Sequence, residues 1–138
     1  MARCASGDHA VSRPAADAAD PVGAAVALEA IKIIEEDGII DHVRDVSKDF
    51  RTQLINISAD PIIANARSIG LMGAFDLNVS EKGSGNELMH CAQNHSLFIR
   101  AIGNTIVLAP PLIISRQEIN SLFERLSDAI KDWKNRIN

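Results

Sequence analysis

Hydrophobic residues recur at helical spacing in three long stretches of the chain. Asp20 is a good N-cap and Pro21 suits the first helical position, so a helix is predicted from there to Gly38. Its small and aliphatic residues cover more than one narrow stripe, which predicts burial on two sides. A second, amphipathic helix is predicted over about residues 40–58. The third opens on a capping box, Ser115 to Glu118, and carries a continuous apolar stripe.

Between these helices the hydrophobic period falls to two. Residues 71–79 place Gly73 and Phe75 on one face of a strand, and residues 63–67 alternate in the same way before a bend at Gly70. A loop over residues 80–86 and a short helix over about 87–94 should follow. Strands are then predicted over 97–101 and 105–108, joined by a hairpin turn at Gly103 and Asn104. This order predicts an α+β fold, a small and mostly antiparallel sheet with helices packed on one face.

Composition narrows the class of protein. The chain has 138 residues, 46% of them hydrophobic, and a net charge of -4. It therefore suits one globular domain and offers no basic surface for nucleic acid. Its apolar runs are too short for a membrane span, and Cys4 and Cys91 lack the spacing of a metal site or disulfide framework, which favours the cytoplasm. Residues 1–20 lack periodicity and are expected to form a weakly structured lead.

Few residues suggest chemistry on their own. Gly70, Gly73 and Gly103 fit neither common phosphate-loop motif, so we interpret them as strand and turn glycines. The His90, Cys91 and His95 cluster has no second pair of ligands, so no metal site is predicted. Arg100, at the end of the segment LFIR, is either a strand-edge arginine paired with a local acid or a ligand for a carboxylate.

Four blocks of sequence, taken in order, resemble a known family. PVGAAVALEAIKIIEEDG, HVRDV, RSIGLMGAFDL and LFIRAIGNTIVLAPPLIISRQEI are similar to the C-terminal small domain of class III (omega-type) pyridoxal-phosphate aminotransferases, with residues 21–138 inside the resemblance and 1–20 outside it. The resemblance implies the C-terminal domain fold of fold-type I aminotransferases. It also implies a homodimer that transfers an amino group between an amine or amino acid and a keto acid.

The resemblance also implies that the cofactor is held elsewhere. In the family, the Schiff-base lysine lies in a large domain, and the five lysines of this chain all fall in predicted helix surfaces or loops. Asp20 stands where the family usually has His, and Ala16 stands about where it has a phosphate-binding Thr. We therefore expect a fragment that lacks the catalytic lysine, binds no pyridoxal phosphate and is inactive alone.

Two positions bear on the substrate. The family resemblance implies that Arg100 holds the substrate carboxylate. Ornithine-type relatives carry a further arginine where this chain has Val107, which favours an omega-type or pyruvate-using enzyme over an ornithine- or GABA-type one. The alternative is a non-enzymatic α+β module that dimerises or binds a partner through the Ala/Gly face of its first helix.

Overall fold

The helices and strands follow one another along the chain in the order that the hydrophobic pattern predicts. The computed structural model describes residues 21–81 and 83–137. The elements are α1 (Pro21–Glu36), α2 (Ile39–Ile57), β1 (Ile63–Ile69), β2 (Met72–Leu77), α3 (Ser84–Asn94), β3 (Arg100–Ile102), β4 (Thr105–Leu108) and α4 (Arg116–Ile137). The predicted lead, with Cys4, Ala16 and the Asp20 cap, lies outside the described residues.

Two compact units make up the chain, Met1–Asp37 and Gly38–Asn138. The boundary at residue 21 between a lead and a domain stays a prediction. The described part of the first unit is α1, and none of its residues is buried. Five of its six large aliphatic residues are 45–69% exposed, and the sixth, Ile34, is half-buried: the exposed ones are Val22, Val26, Leu28, Ile31 and Ile33. The prediction that this helix is buried on two sides is therefore wrong for the described chain, because an apolar helix is buried only where another surface covers it.

The second unit is built on a four-stranded antiparallel sheet in the order β1-β2-β4-β3. The predicted alternation in β2 is confirmed, because Gly73, Phe75 and Leu77 are buried while Met72 is exposed. The buried face is the inner face, and we call the opposite one the outer face. Helices α2, α3 and α4 pack on the inner face, which confirms the predicted α+β arrangement.

An irregularity in β1 changes its alternation. The register with β2 shifts between Ala64 and Arg67, where two residues, Asn65 and Ala66, stand opposite the single residue Phe75. Asn65 has a positive φ of 51°, as asparagine tolerates better than most residues. This β-bulge puts Ile63 on the inner face and Arg67 on the outer face, although they are four residues apart.

Aromatic packing joins the helices to the sheet. The rings of Phe50 in α2 and Phe123 in α4 meet edge to face with centroids 5.3 Å apart. Gly73 in β2 leaves the space that Phe50 fills, since a Cβ there would lie 2.8 Å from the ring. Trp133 completes the α4 stripe, buried, with its Nε1 donating to Glu87 at 3.2 Å. The prediction that Trp133 belongs to the core is thus confirmed.

The predicted capping box of α4 is present. The Ser115 backbone N–H donates to Glu118 Oε2 at 2.8 Å, and the Glu118 N–H donates to Ser115 Oγ at 3.2 Å. The hydrogen bonds from the Ser115 backbone and then from its hydroxyl lower the pKa of Glu118. Arg116, next in the chain, binds Asp45 and Asp49 of α2, so the start of α4 is tied to α2.

Two boundaries lie three residues from the predicted ones. Helix α3 begins at Ser84 and not at 87, because Gly83 takes a positive φ of 99° and the chain turns into the helix there. Strand β3 begins at Arg100 and not at 97. The Leu97 N–H donates to Ala92 O at 2.9 Å, which continues the end of α3 and keeps Leu97 out of the strand ladder.

Candidate functional site

One row of residues crosses the outer face of the sheet. Arg67 pairs with Ala74, Ala74 with Val107, and Val107 with Arg100, so the row runs from β1 to β3. Three strand spacings separate the two arginines, about 14 Å between their backbones. The row thus has a guanidinium at each end and small apolar side chains between them.

Arg100 is the unengaged end of that row. Its side chain is exposed, and it makes no hydrogen bond or ion pair with any residue of 21–81 or 83–137. Two apolar side chains next to it in the chain, Phe98 before the strand and Ile102 on the same strand face, are 87% and 58% exposed. The alternative of a local acidic partner therefore finds no support among the described residues. A free guanidinium beside apolar side chains is suited to bind a carboxylate through two hydrogen bonds.

Arg67, at the other end of the row, is already occupied. Its NH1 and NH2 lie 3.2 and 3.4 Å from the two carboxylate oxygens of Asp76, which also accepts from Thr105 Oγ1 at 2.7 Å and from Asn65 Nδ2 at 3.0 Å. Hydrogen bonds from Thr105, then Asn65, then Arg67 lower the pKa of Asp76. Asp76 is therefore held ionised and neutralises Arg67, so Arg100 is the guanidinium of the row left for a ligand.

Sequence reasoning missed the Asp76 cluster. Its members come from three strands, and only the bulge and the register bring them together. The one available signal was the polar residue Asp76 inside an otherwise apolar strand, which often marks a satisfied network.

The glycines that resembled a phosphate loop have structural roles. Gly70 and Gly103 have φ of 56° and 62° in the turns β1–β2 and β3–β4, and Gly73 lies against Phe50. These positions confirm the strand and turn interpretation.

The histidines and the cysteine are dispersed. Cys91 is buried, His90 is exposed, and His95 Nε2 lies 2.7 Å from Asp132 Oδ2. The part of the chain that the structure describes holds no group of three metal-ligating side chains. His42 is half-buried, and its Nε2 lies 2.9 Å from Ile114 O.

The described lysines do not form a site for an aldehyde cofactor. Lys32, Lys48 and Lys131 are exposed on helices, and Lys134 is bound at 2.8 Å to Asp60, whose pKa is lowered although its burial alone would raise it. A catalytic lysine instead needs a neutral amine beside the cofactor ring. The described residues therefore do not fit pyridoxal phosphate. That this chain binds no cofactor stays a prediction.

A groove of about 630 Å³ lies on the helical side of the sheet, between α2 and α4. Amides and hydroxyls line much of it, among them Gln53, Asn120 and Ser127, and Gln53 Nε2 donates to Asn120 Oδ1 at 2.9 Å. Its volume exceeds that of the groove of about 420 Å³ beside Met72 and Val107 on the outer face. The outer face is nevertheless the better candidate, because it carries the free guanidinium.

Solved structures with this arrangement are transaminases. A structure described as a transaminase with L-Ala superposes with a TM-score of 0.81 at 28% identity, covering 86% of this chain and 30% of the other. A thermostable omega transaminase from Pseudomonas jessenii gives 0.77 at 32% identity, covering 82% and 27%. The PMP-bound form of an aminotransferase from Vibrio fluvialis gives 0.80 at 26%, covering 86% and 28%.

A family model described as aminotransferase class-III matches residues 6–130. The chain belongs to this family. The match includes residues 6–20, which the sequence analysis placed outside the resemblance. Class-III membership implies pyridoxal phosphate as the cofactor of the complete enzymes.

Curated relatives agree with this assignment. Gamma aminobutyrate transaminase 3 of Solanum lycopersicum is 36% identical over 126 residues, which are 85% of this chain and 24% of that protein. The putrescine–pyruvate aminotransferase of Pseudomonas aeruginosa is 35% identical over 112 residues, 74% of this chain and 24% of that one. The chain thus spans about a quarter of the length of these relatives.

The names of the relatives qualify two predictions. Several are gamma-aminobutyrate transaminases, so the comparisons do not support the preference for an omega-type over a GABA-type enzyme drawn from Val107. The plant relatives are named chloroplastic or mitochondrial, and the cytoplasm stays a prediction for this chain. Among the described residues, no helix has the length and apolar character needed to cross a membrane.

Proposed function

We propose that residues 21–138 form the small domain of a class-III transaminase and that Arg100 binds the carboxylate of its substrate. The observation that carries this proposal is the free guanidinium at the end of the outer-face row. In this proposal the cofactor and the lysine that holds it lie in a part of the enzyme outside residues 21–138, since the described lysines do not form a cofactor site. The complete enzyme would move an amino group between an amine or amino acid and a keto acid.

The outer face favours an acid with one carboxylate. Asp76 already neutralises Arg67, and Val107 stands directly opposite Arg100, where a second cation would have to lie. A dicarboxylic acid would leave its second carboxylate over the apolar side chains of Val107 and Ala74, which would remove water from it without providing a partner. We therefore propose a monocarboxylic keto acid such as pyruvate as the amino acceptor.

The residues of this chain would contribute binding and orientation. The planar guanidinium of Arg100 can donate two parallel hydrogen bonds, which fix both the position and the plane of the carboxylate. Phe98 and Ile102, on either side of Arg100, would cover the ion pair and exclude water, and ion pairs are stronger out of water. The pyridoxal phosphate of the complete enzyme supplies the electron sink for the amino transfer.

A chimera tests the proposal. In the Pseudomonas aeruginosa putrescine–pyruvate aminotransferase, the segment that matches this chain is replaced by residues 21–138, and we call the product the chimera. We expect it to transaminate pyruvate. Acetaldehyde, which is pyruvate with hydrogen in place of the carboxylate, serves as the neutral acceptor.

In the chimera, Arg100→Leu should lower kcat/KM for pyruvate by about tenfold or more, because it removes a charge-assisted pair of hydrogen bonds. The value for acetaldehyde should change less than twofold. Arg51→Leu, at an exposed arginine of α2, is the matched control and should alter neither. A chimera that does not turn over, or an equal loss for both acceptors, contradicts the assignment of Arg100.

We also propose that this chain alone is inactive. Purified chain mixed with pyridoxal phosphate should show no cofactor absorbance that survives dialysis, because no described lysine is placed to hold the cofactor. Retained absorbance, or transamination by the chain alone, would overturn this.

A second candidate function rests on α1. Five of its six large aliphatic residues are exposed, and exposed apolar helices favour association. The alternative is therefore a non-enzymatic module that dimerises through this helix. A chain that forms dimers and leaves the chimera inactive would favour this alternative over the transaminase.

A further inference from the structure

Helix α3 touches the β3–β4 turn at a point where only glycine fits. Gly85, in the first turn of α3, is buried, and a Cβ built on it would lie 2.2 Å from the carbonyl oxygen of Gly103 and 3.2 Å from Ala101 Cβ. Real Cβ atoms essentially never come within 3.0 Å of such an atom. The neighbour at 2.2 Å is backbone, so it cannot rotate away as a side chain would. Any side chain at position 85 must therefore move the turn or the helix.

Asn104, which is part of the same turn, holds it in place by hydrogen bonds. Its backbone oxygen accepts from the Leu77 N–H at 2.8 Å, and its Nδ2 donates to Glu81 O at 2.9 Å. The next residue, Thr105, donates its hydroxyl to Asp76 at 2.7 Å. The turn is thus fastened to the end of β2 and to the segment that leads into α3.

The segment before β3 is held by the helices and the core and not by strand pairing. Leu97 and Ile99 are buried, and the Arg125 guanidinium donates to Ser96 O at 3.1 Å. Strand pairing begins at Arg100, opposite Val107. Within the sheet, Arg100 is therefore placed by its pairing with β4 and by the turn, which lies three residues further along the chain.

We propose that Gly85 and Asn104 are positioning residues for Arg100: they seat the β3–β4 turn so that the guanidinium stands at the end of the outer-face row. This inference rests on the proposed role of Arg100. It adds that carboxylate recognition depends on two residues that are not part of the outer-face row, Gly85 in α3 and Asn104 in the turn.

The test uses two variants and one control. Gly85→Ala introduces the Cβ that collides with Gly103 O. Asn104→Asp keeps the size of the side chain and removes the N–H donor to Glu81 O. Asn86→Ala, at the exposed neighbour of Gly85 in the same helical turn, is the control.

The first measurement uses the full 138-residue chain and needs no catalysis. By hydrogen exchange and NMR, both variants should speed exchange of the Leu77 amide about tenfold and weaken the Arg100–Val107 cross-strand contact. Exchange in the β1–β2 ladder and in the Asn86→Ala control should stay unchanged. If both variants keep the wild-type exchange rate of the Leu77 amide and the wild-type Arg100–Val107 contact, the inference is overturned, regardless of the activity of the chimera.

The second measurement uses the chimera. Both variants should lower kcat/KM for pyruvate about fivefold to tenfold, chiefly through KM, and that for acetaldehyde less than twofold. Equal losses for the two acceptors would mean a structural role only and would overturn the inference. If Arg100→Leu itself does not discriminate between the acceptors, the proposed function fails, and that failure is separate from any result on the turn.

Discussion

Single residues on the outer face decide which charges a ligand can meet. Asp76 neutralises Arg67, Arg100 stays free, and Val107 separates them from within the same row. Only the third of these facts is visible in the sequence, because the engagement of Arg67 depends on contacts between strands. Charge on this face therefore follows from hydrogen bonding as much as from the number of arginines.

Val107→Arg should extend acceptor choice to dicarboxylic acids. The new guanidinium would stand directly opposite Arg100 and give a second carboxylate a partner that the apolar side chain denies it. In the chimera, the ratio of kcat/KM for 2-oxoglutarate to that for pyruvate should rise about tenfold, roughly the value of one charge-assisted contact. Val107→Leu is the apolar control, and an unchanged ratio in Val107→Arg would contradict a ligand at this row.

Asp76→Asn should make stability less sensitive to acid. The folded pKa of Asp76 lies below its unfolded value of about 3.9, so its contribution is present above that pH and is lost as the pH falls through the folded pKa. Urea unfolding at pH 6 and pH 3 should show a smaller loss for the variant than for the wild type. At pH 6 the variant should be less stable by about 1 kcal/mol, the value of a partly exposed hydrogen-bond cluster. If the wild type and the variant lose the same free energy of unfolding between pH 6 and pH 3, the titration of Asp76 does not contribute to the pH dependence of stability.

At the scale of helices and strands, most of the fold is readable from the sequence. The period of two in β2 and the Ser115–Glu118 box fix local conformation, and both are confirmed. The bounds of β3 were not readable, because the apolar run 97–99 looks like strand while the Leu97 N–H bonds back to α3. The role of Gly85 was hidden for the same reason, since a close approach between elements leaves no periodic signal.

Phe50→Ala should destabilise the second unit by about 3–5 kcal/mol, the usual range for removing a buried aromatic ring. The ring packs on Phe123 and fills the space above Gly73, so its loss opens a cavity where α2, α4 and the sheet meet. Ile55→Ala, at a 55% exposed position of the same helix, should cost less than about 1 kcal/mol and is the control. Chemical denaturation followed by circular dichroism measures both, and similar losses would contradict the packing described.

At the scale of the whole molecule, the described residues include an exposed apolar surface on α1. The α1 helix is apolar on more than one side and buries none of its residues, although the sequence pattern predicted burial. The pattern indicates an apolar helix, and only the structure could show that its side chains are exposed. The relatives are about four times as long as the segment they share with this chain, which agrees with a surface that belongs to a larger assembly.

The chain should therefore self-associate at micromolar concentration. Val26→Lys with Ile33→Lys places two charges on one face of α1 while keeping good helix formers there, and should shift sedimentation toward monomer. Glu29→Lys with Lys32→Glu, which alters exposed charged residues of the same helix, is the control. A wild-type chain that stays monomeric, or association that the double lysine variant leaves intact, would exclude α1 as the contact.

The bulge in β1 adds a side chain to the hydrogen bonds around Asp76 that a regular strand would lack. Ile63 and Arg67 would share a side in a regular strand, and only the extra residue at 65–66 sends one inward and the other outward. Deleting Asn65 would place Ala66 opposite Phe75 and keep Ile63 inward and Arg67 outward, because the two residues would then lie three positions apart. The shortened strand would therefore keep its two faces and lose the amide that donates to Asp76 at 3.0 Å.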